Sequence, residues 1–235
     1  MKQQLMIAVV ALSAVTLVVT TIAASAAPAA AAPKCTDYFD RGFDGSEITD
    51  GMVVCGSRGD DYVAHMMGGV FIGGRGNDSV HVKSGGRFIG GRGNDSVEDH
   101  MGGTFIGGLG ADDVETLGDG TFVGGPGRDR ADRVNSVFYG GQGKDSVKSL
   151  WGRFLGGPAS DTVESMHTGA SFFGGRGHDK VTDYMYQAAF YGGAGRDSAR
   201  FCRNSTPRNT LIKVEKKTPT MCLYEVPAGW GRPVE

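Results

Sequence analysis

The chain has 235 residues with a formal net charge of −2, and 40% of its residues are hydrophobic. A charge this close to zero excludes the basic footprint of a nucleic-acid-binding protein, and the apolar content argues against a disordered low-complexity chain. The 40 glycines, well over twice the usual share of ~7%, favour an internal repeat within a single domain.

Residues 1–32 predict a secretory signal peptide. Lys2 precedes a run without charges from Leu5 to Ala24, and small residues typical of cleavage sites follow. The alternative is an uncleaved membrane anchor, because the run has almost the length of a spanning helix. We therefore expect a secreted, extracellular protein that meets a membrane only if this segment is retained.

One eight-residue pattern recurs from residue 56 onward. It reads GGRGNDSV at 73–80 and again at 90–97, and GGLGADDV at 107–114. Further copies begin at Gly56, Gly124, Gly140, Gly156, Gly174 and Gly192. The nine copies recur every 16 to 18 residues, which predicts one coil of a solenoid per copy.

A second motif, centred on phenylalanine, lies between the copies, as in Val70-Phe71-Ile72. Successive side chains of a strand face opposite ways, so a phenylalanine from one strand and a valine from the other can both point inward. Stacked coils then share one continuous core. The sequence therefore predicts an all-β fold, a parallel β-roll or β-solenoid of about nine coils with two short strands per coil.

The pattern GGxGxDxV resembles the nonapeptide GGxGxDxUx of the repeats-in-toxin (RTX, haemolysin-type) family, whose parallel β-roll binds Ca²⁺. The resemblance covers residues 56–199. It implies that the aspartate at the sixth loop position donates carboxylate oxygen to a calcium ion shared with the next loop. The metal ligands it implies are Asp61, Asp78, Asp95, Asp112, Asp129, Asp145, Asp161, Asp179 and Asp197.

The same resemblance implies that loop glycines adopt positive φ and present bare backbone to the ion. These glycines are Gly74, Gly76, Gly91, Gly93, Gly108, Gly110, Gly125, Gly127, Gly141, Gly143, Gly175 and Gly177. The chain departs from the family by carrying the motif once per coil, which predicts calcium along one edge only. It also has Ala159 where the fourth loop glycine is expected, so we expect strain there.

The fifth loop position changes along the chain. It holds Asp60, Asn77 and Asn94 in the first copies, whereas later copies place basic residues such as Arg128 and Lys144 there. Cationic side chains beside the ions weaken calcium binding, so we expect the early sites to be tighter.

Elementary electrostatics also favours a cation. Carboxylates stacked about 4.8 Å apart repel by roughly 3 kcal/mol per pair at an effective dielectric of ~20, and hard divalent cations relieve this repulsion. The alternative is that the aspartates only accept hydrogen bonds from backbone amides, as turn aspartates commonly do. If calcium binds, metal binding and folding become one event, because the glycine-rich loops are costly to order.

Four cysteines flank the repeats, namely Cys35, Cys55, Cys202 and Cys222. Nine coils separate the two ends by roughly 40 Å, far more than the ~6 Å between bridged Cα atoms. We therefore expect the disulfides Cys35–Cys55 and Cys202–Cys222. They would hold an N-terminal cap at 33–55 and a C-terminal cap at 200–235, the latter with a hairpin from strands 211–215 and 221–226.

The residue after each core phenylalanine should face outward, giving an apolar outer ladder. It consists of Ile72, Ile89, Ile106, Val123, Tyr139, Leu155, Phe173 and Tyr191. Either it docks a cell-surface glycan or protein, or neighbouring turn residues shield it. His65, His100 and His167 are expected to be solvated turn residues, too far apart to share one soft metal ion.

No nucleophile elbow, HExxH motif or paired acid-base constellation is present, so we expect a structural or adhesive module and not an enzyme. Two alternatives stay open. A polysaccharide-active β-helix enzyme would need a lateral cleft with perturbed carboxylates. An ice-binding solenoid would need a threonine ladder, but the residues before the phenylalanines are mixed, as Arg87, Thr104 and Val137 illustrate.

Overall fold

The computed structural model describes residues 34–39, 45–184, 187–202, 210–212 and 216–220. The predicted signal peptide and Cys222 lie outside these residues. The pairing of Cys202 with Cys222 therefore stays a prediction, whereas the predicted disulfide Cys35–Cys55 is present, with a Cα–Cα distance of 5.7 Å. The described residues contain no helix long and apolar enough to cross a membrane.

The described strands form two parallel sheets of eleven, and the chain alternates between them. The first sheet holds the odd-numbered strands: β1 Asp37–Tyr38, β3 Val53–Cys55, β5 Val70–Arg75, β7 Arg87–Arg92, β9 Thr104–Leu109, β11 Thr121–Pro126, β13 Val137–Gln142, β15 Arg153–Pro158, β17 Ser171–Gly177, β19 Ala189–Gly195 and β21 Thr210–Ile212. The second holds the even-numbered strands: β2 Glu47–Ile48, β4 Tyr62–Met66, β6 Ser79–Lys83, β8 Ser96–His100, β10 Asp113–Leu117, β12 Arg130–Val134, β14 Ser146–Leu150, β16 Thr162–Met166, β18 Lys180–Tyr184, β20 Ser198–Cys202 and β22 Lys216–Thr220. The predicted β-solenoid with two strands per coil is thus confirmed.

The core follows the predicted alternation. One phenylalanine of each odd strand from β5 to β19 is completely buried, and these rings stack with centroids 4.5–4.9 Å apart: Phe71, Phe88, Phe105, Phe122, Phe138, Phe154, Phe172 and Phe190. Equivalent residues pair directly in the sheet, as Phe71 does with Phe88. Valine or alanine from the even strands packs opposite them, and each buried phenylalanine or valine side chain stabilises the fold by roughly 1.5–3 kcal/mol.

The two connections of each coil differ in how strictly their length is kept. On one side, which we call the loop edge, the aspartate always lies eight positions after the first residue of the odd strand, as Asp145 does after Val137. On the other side, the turn edge, four residues follow β2 and three follow each of β4, β6, β8 and β10. Two residues follow β12 and β14 (135–136 and 151–152), and four follow β16 (167–170). All variation in repeat length therefore falls on the turn edge.

The hairpin predicted in the C-terminal cap is wrong where the structure describes it. β21 and β22 lie in different sheets, and each pairs in parallel with the preceding coil. Leu211 takes the register position of Phe190, so the chain continues the coil pattern without a loop motif. Residues 216–219, expected as the connection, belong to β22.

Candidate metal column at the loop edge

The nine predicted ligands lie together as one column at the loop edge. Each aspartate follows an odd strand and precedes an even one, so the parallel register of both sheets stacks it on its equivalents. All nine are buried, and the eight from Asp78 onward are at most 1% exposed. The predicted single column of carboxylates is thus present in the structure.

The two oxygens of each carboxylate have different surroundings. From Asp78 onward, Oδ1 accepts a hydrogen bond from the backbone N–H of the aspartate in the preceding coil, at 2.8–2.9 Å. Asp61, the first member, instead accepts from the backbone N–H and the hydroxyl of Ser57. Oδ2 has no hydrogen-bond partner among the described residues in the seven central members, Asp78, Asp95, Asp112, Asp129, Asp145, Asp161 and Asp179. The alternative of backbone-bound aspartates therefore accounts for one oxygen and leaves the other unsatisfied.

Burial raises the pKa of every central carboxyl. The pKa reaches about 7 for Asp78, Asp112, Asp129 and Asp161 and about 6 for Asp95, Asp145 and Asp179. Loss of water around the charged form is the largest cause in each case, and the backbone N–H at Oδ1 partly opposes it. Each carboxylate thus needs a proton or a cation to be stable where it lies.

Glycine makes room for these carboxylates. A Cβ at Gly73, the first loop position, would collide with Oδ2 of Asp78 in the same loop, and the same holds at Gly90 and Gly107. The sequence interpretation assigned roles to the second and fourth glycines and missed the first. The signal was present, because the first loop position is glycine in every copy from 73 onward.

The positive φ is found at each of the loop glycines for which it was predicted, with the exception of Gly127. The predicted strain at the degenerate loop is also found, since Ala159 has φ 101°. Its neighbours in the stack, Gly143 and Gly177, have φ 135° and 143°, so the register imposes this conformation on alanine.

A second, exposed set of contacts runs beside the aspartates. Oδ1 of Asp60 accepts from the N–H of Asn77 at 2.6 Å, and Asn77 in turn accepts from Asn94 at 2.8 Å. Lysine and arginine at later fifth positions have no acceptor atom to continue this chain. The contacts are therefore interrupted after Ala111, where Arg128 and Lys144 occupy the fifth position, and they resume at Ser160, which accepts from the N–H of His178, and at His178, which accepts from the N–H of Arg196, both at 2.9 Å.

The three histidines occupy unlike places. His65 is exposed, whereas His167 is partly buried against Trp151. The expectation of a solvated residue is wrong for His100, which is fully buried at the end of β8. No group of three or more His, Cys, Asp or Glu side chains gathers to hold a metal within the described part of the chain. A cation in the aspartate column would need backbone carbonyl oxygens as further ligands.

The outer ladder faces away from the core, as predicted. Tyr139 and Phe173 are the most exposed members, at 41% and 37%, and Phe173 stacks on Tyr191 with ring centroids 4.7 Å apart. The other members are partly exposed.

Comparison with known proteins adds no relative. No protein-family model matches the chain, and searches of curated proteins and of solved structures give no match either.

Proposed function

We propose that the chain is a secreted, non-enzymatic, calcium-binding repeat protein of the repeats-in-toxin type, a structural or adhesive module whose folding depends on calcium. The observation that carries this proposal is the row of seven buried carboxylate oxygens without a hydrogen-bond partner. An unsatisfied buried charged group costs on the order of several kcal/mol, so seven in one column require neutralisation.

The donor chemistry fits calcium. Carboxylate and carbonyl oxygens are the ligands that Ca²⁺ prefers, and its flexible coordination accepts two neighbouring loops. One aspartate from each of two stacked loops would supply the charge, and the bare glycine backbone beside them would supply carbonyl oxygen. Nine loops then offer at most eight sites between neighbours.

Folding would follow export under this proposal. Without the ion, the glycine-rich loops are costly to order and the column repels itself, whereas bound calcium contributes its binding free energy to folding. The disulfide Cys35–Cys55 and the N-terminal sequence pattern support a destination outside the cytosol.

Circular dichroism with calcium and with EGTA tests the proposal, and titration calorimetry counts the ions. We expect β-structure and a high unfolding midpoint in calcium and their loss in EGTA. An unchanged spectrum and midpoint in EGTA would overturn the proposal.

Two adjacent residues supply a matched pair of variants. Asp112→Asn changes a buried column member, whereas Asp113→Asn changes a neighbour whose side chain is 49% exposed on the outer face of β10. We expect Asp112→Asn to lower the ion count and the calcium-dependent stabilisation, and Asp113→Asn to leave both near the wild-type values.

A further inference from the structure

A notch interrupts the turn edge in the C-terminal half of the solenoid. The turns 135–136 and 151–152 have two residues each, and the following turn, 167–170, has four. The short turns lie close together, because a Cβ at Gly152 would collide with the carbonyl oxygen of Ser136. The longer turn projects beyond them and forms one wall of an open hollow.

The hollow has a volume of about 350 Å³, and both polar and apolar groups line it. Its lining includes Asn135, Ser136, Gly152, Arg153, Gly169 and Ser171. The Ser136 hydroxyl already donates to the carbonyl of Gly120 at 2.5 Å. The side chains of Asn135 and Ser171 have no hydrogen-bond partner among the described residues, so their donors and acceptors remain available to a ligand.

An exposed aromatic pair lies next to this hollow in the chain, because Trp151 directly precedes Gly152 and Arg153, which line it. Trp151 is 43% exposed and stacks on His167 with ring centroids 4.0 Å apart and planes 2° apart. Backbone hydrogen bonds of 2.8 Å hold both residues to the preceding coil, from Trp151 N to Val134 O and from His167 N to Leu150 O. Burial lowers the pKa of His167, which favours the neutral form of its ring.

The charge of the hollow is positive. Arg153 is exposed, and none of the other residues that line the hollow is acidic. Its register neighbours in the sheet are Val137 and Ser171, and its guanidinium makes no ion pair with any described residue. An exposed guanidinium without an ion pair favours binding of a carboxylate or sulfate, which accepts two parallel hydrogen bonds from it.

We propose that this notch binds one sugar unit of an acidic polysaccharide, with the ring face on Trp151 and the anionic group on Arg153. Aromatic faces pack against the C–H face of a sugar, and the free amide and hydroxyl groups of the hollow suit its hydroxyls. An open hollow of this size accepts one unit of a long chain. This proposal names the class of ligand for the adhesive role and rests on that part of the proposed function. Calcium itself makes no contact with the ligand in the notch.

Tryptophan fluorescence provides a direct measurement. The chain has two tryptophans, so a Trp230→Phe background leaves Trp151 as the reporter. We expect a saturable change in emission with a hyaluronan oligosaccharide, which is carboxylated, or with dextran sulfate, and none with neutral dextran. Comparison of the two acidic probes shows which anionic group is preferred. Equal responses to dextran and to the acidic probes would overturn the proposal.

Register-equivalent residues serve as controls. Arg153→Gln should weaken binding at least roughly tenfold, because it removes the charge-assisted pair, whereas Arg87→Gln, at the same strand position four coils earlier, should leave affinity unchanged. Trp151→Ala should abolish retardation in affinity electrophoresis, and Met101→Ala, another exposed turn-edge residue, should not. Equal losses in the paired variants would refute a site at the notch.

Different results contradict calcium-dependent folding and ligand binding at the notch. Circular dichroism of each variant in calcium reports its fold, and the same titration in EGTA separates the ligand from the metal. A chain that stays folded in EGTA and still binds the acidic probes contradicts calcium-dependent folding alone. A chain that requires calcium to fold and binds no probe when folded contradicts the notch alone.

Discussion

At the scale of single residues, the register of the solenoid determines backbone conformation more strictly than the residue type does. Ala159 adopts φ 101° because its neighbours in the stack are glycines in the same region of conformational space. This strain was predictable from one letter of the sequence, because the repeat defines which loop position that letter occupies.

Replacing this alanine should stabilise the protein. Ala159→Gly relieves a positive φ that costs about 1 kcal/mol or more, so we expect the free energy of unfolding in urea to rise by about that amount. Ala111→Gly is the matched control, since Ala111 lies in another loop without positive φ. There, glycine should be neutral or slightly destabilising, and a gain of the same size at both positions would contradict the explanation.

At the scale of strands, the even strands depart from simple alternation. In β4 the residues Val63 and Met66 are both buried, and the two residues between them face outward. A strict alternation of inward and outward residues correctly predicted the phenylalanine and valine columns. For the last residue of an even strand, however, it predicts an outward side chain, whereas the structure has an inward one. This bend explains why His100 was expected in solvent, because its position is the inward one that Met66 and Leu117 occupy in other coils.

That inward position holds two polar residues in adjacent coils. Lys83 is buried, and its Nζ donates to the carbonyl oxygens of Gly85, Gly86 and Gly102 at 2.7–3.0 Å. His100 is equally buried, and its ring lies near the backbone of Gly102 and Gly103, but neither ring nitrogen reaches hydrogen-bond geometry with a described residue. Burial, followed by the charge of Lys83, lowers the pKa of His100 to about 4.

Replacing His100 by the residue found in neighbouring coils should stabilise the core. His100→Leu removes two unsatisfied polar atoms and introduces the residue that other coils have at the equivalent position, Leu117 and Leu150. We therefore expect the free energy of unfolding to rise by about 1–2 kcal/mol at pH 7. The reverse change, Leu117→His, should destabilise by more. A lower thermal midpoint for His100→Leu would show that the ring has an unrecognised partner.

At the scale of the whole molecule, the sequence predicts the architecture well because one short motif repeats in register. It predicts the aspartate column for the same reason, since equivalent residues of stacked coils must be neighbours. The sequence does not predict that Oδ1 accepts a backbone hydrogen bond while Oδ2 has no partner among the described residues, and it does not predict the notch. Both depend on the three-dimensional path of the backbone at a loop and at a shortened turn.

The column makes stability depend on pH in opposite ways with and without calcium. In EGTA, seven carboxyls have folded-state pKa values of about 6 or about 7, above their unfolded value of 3.8. The folded state then binds more protons, so stability is present at low pH and is lost as pH rises from about 4 to about 7. His100 and Lys83, whose pKa values are lowered to about 4 and about 7, oppose this trend but are outnumbered by the seven carboxyls.

Calcium should reverse the trend, because protons and the metal compete for the same oxygens. We expect EGTA-treated protein to be more stable at pH 5 than at pH 8, and calcium-loaded protein to be more stable at pH 8. Thermal unfolding at both pH values, with and without calcium, measures the effect. The same slope in both conditions would contradict metal binding by the column.

The unequal strictness of the two edges has a consequence for engineering. The turn edge changes from two to four residues while both sheets keep their pairing register. A foreign peptide grafted into one of these turns therefore leaves the aspartate spacing untouched. Peptides grafted into the turns of successive coils would lie in a row, separated by the spacing between neighbouring strands, about 4.8 Å.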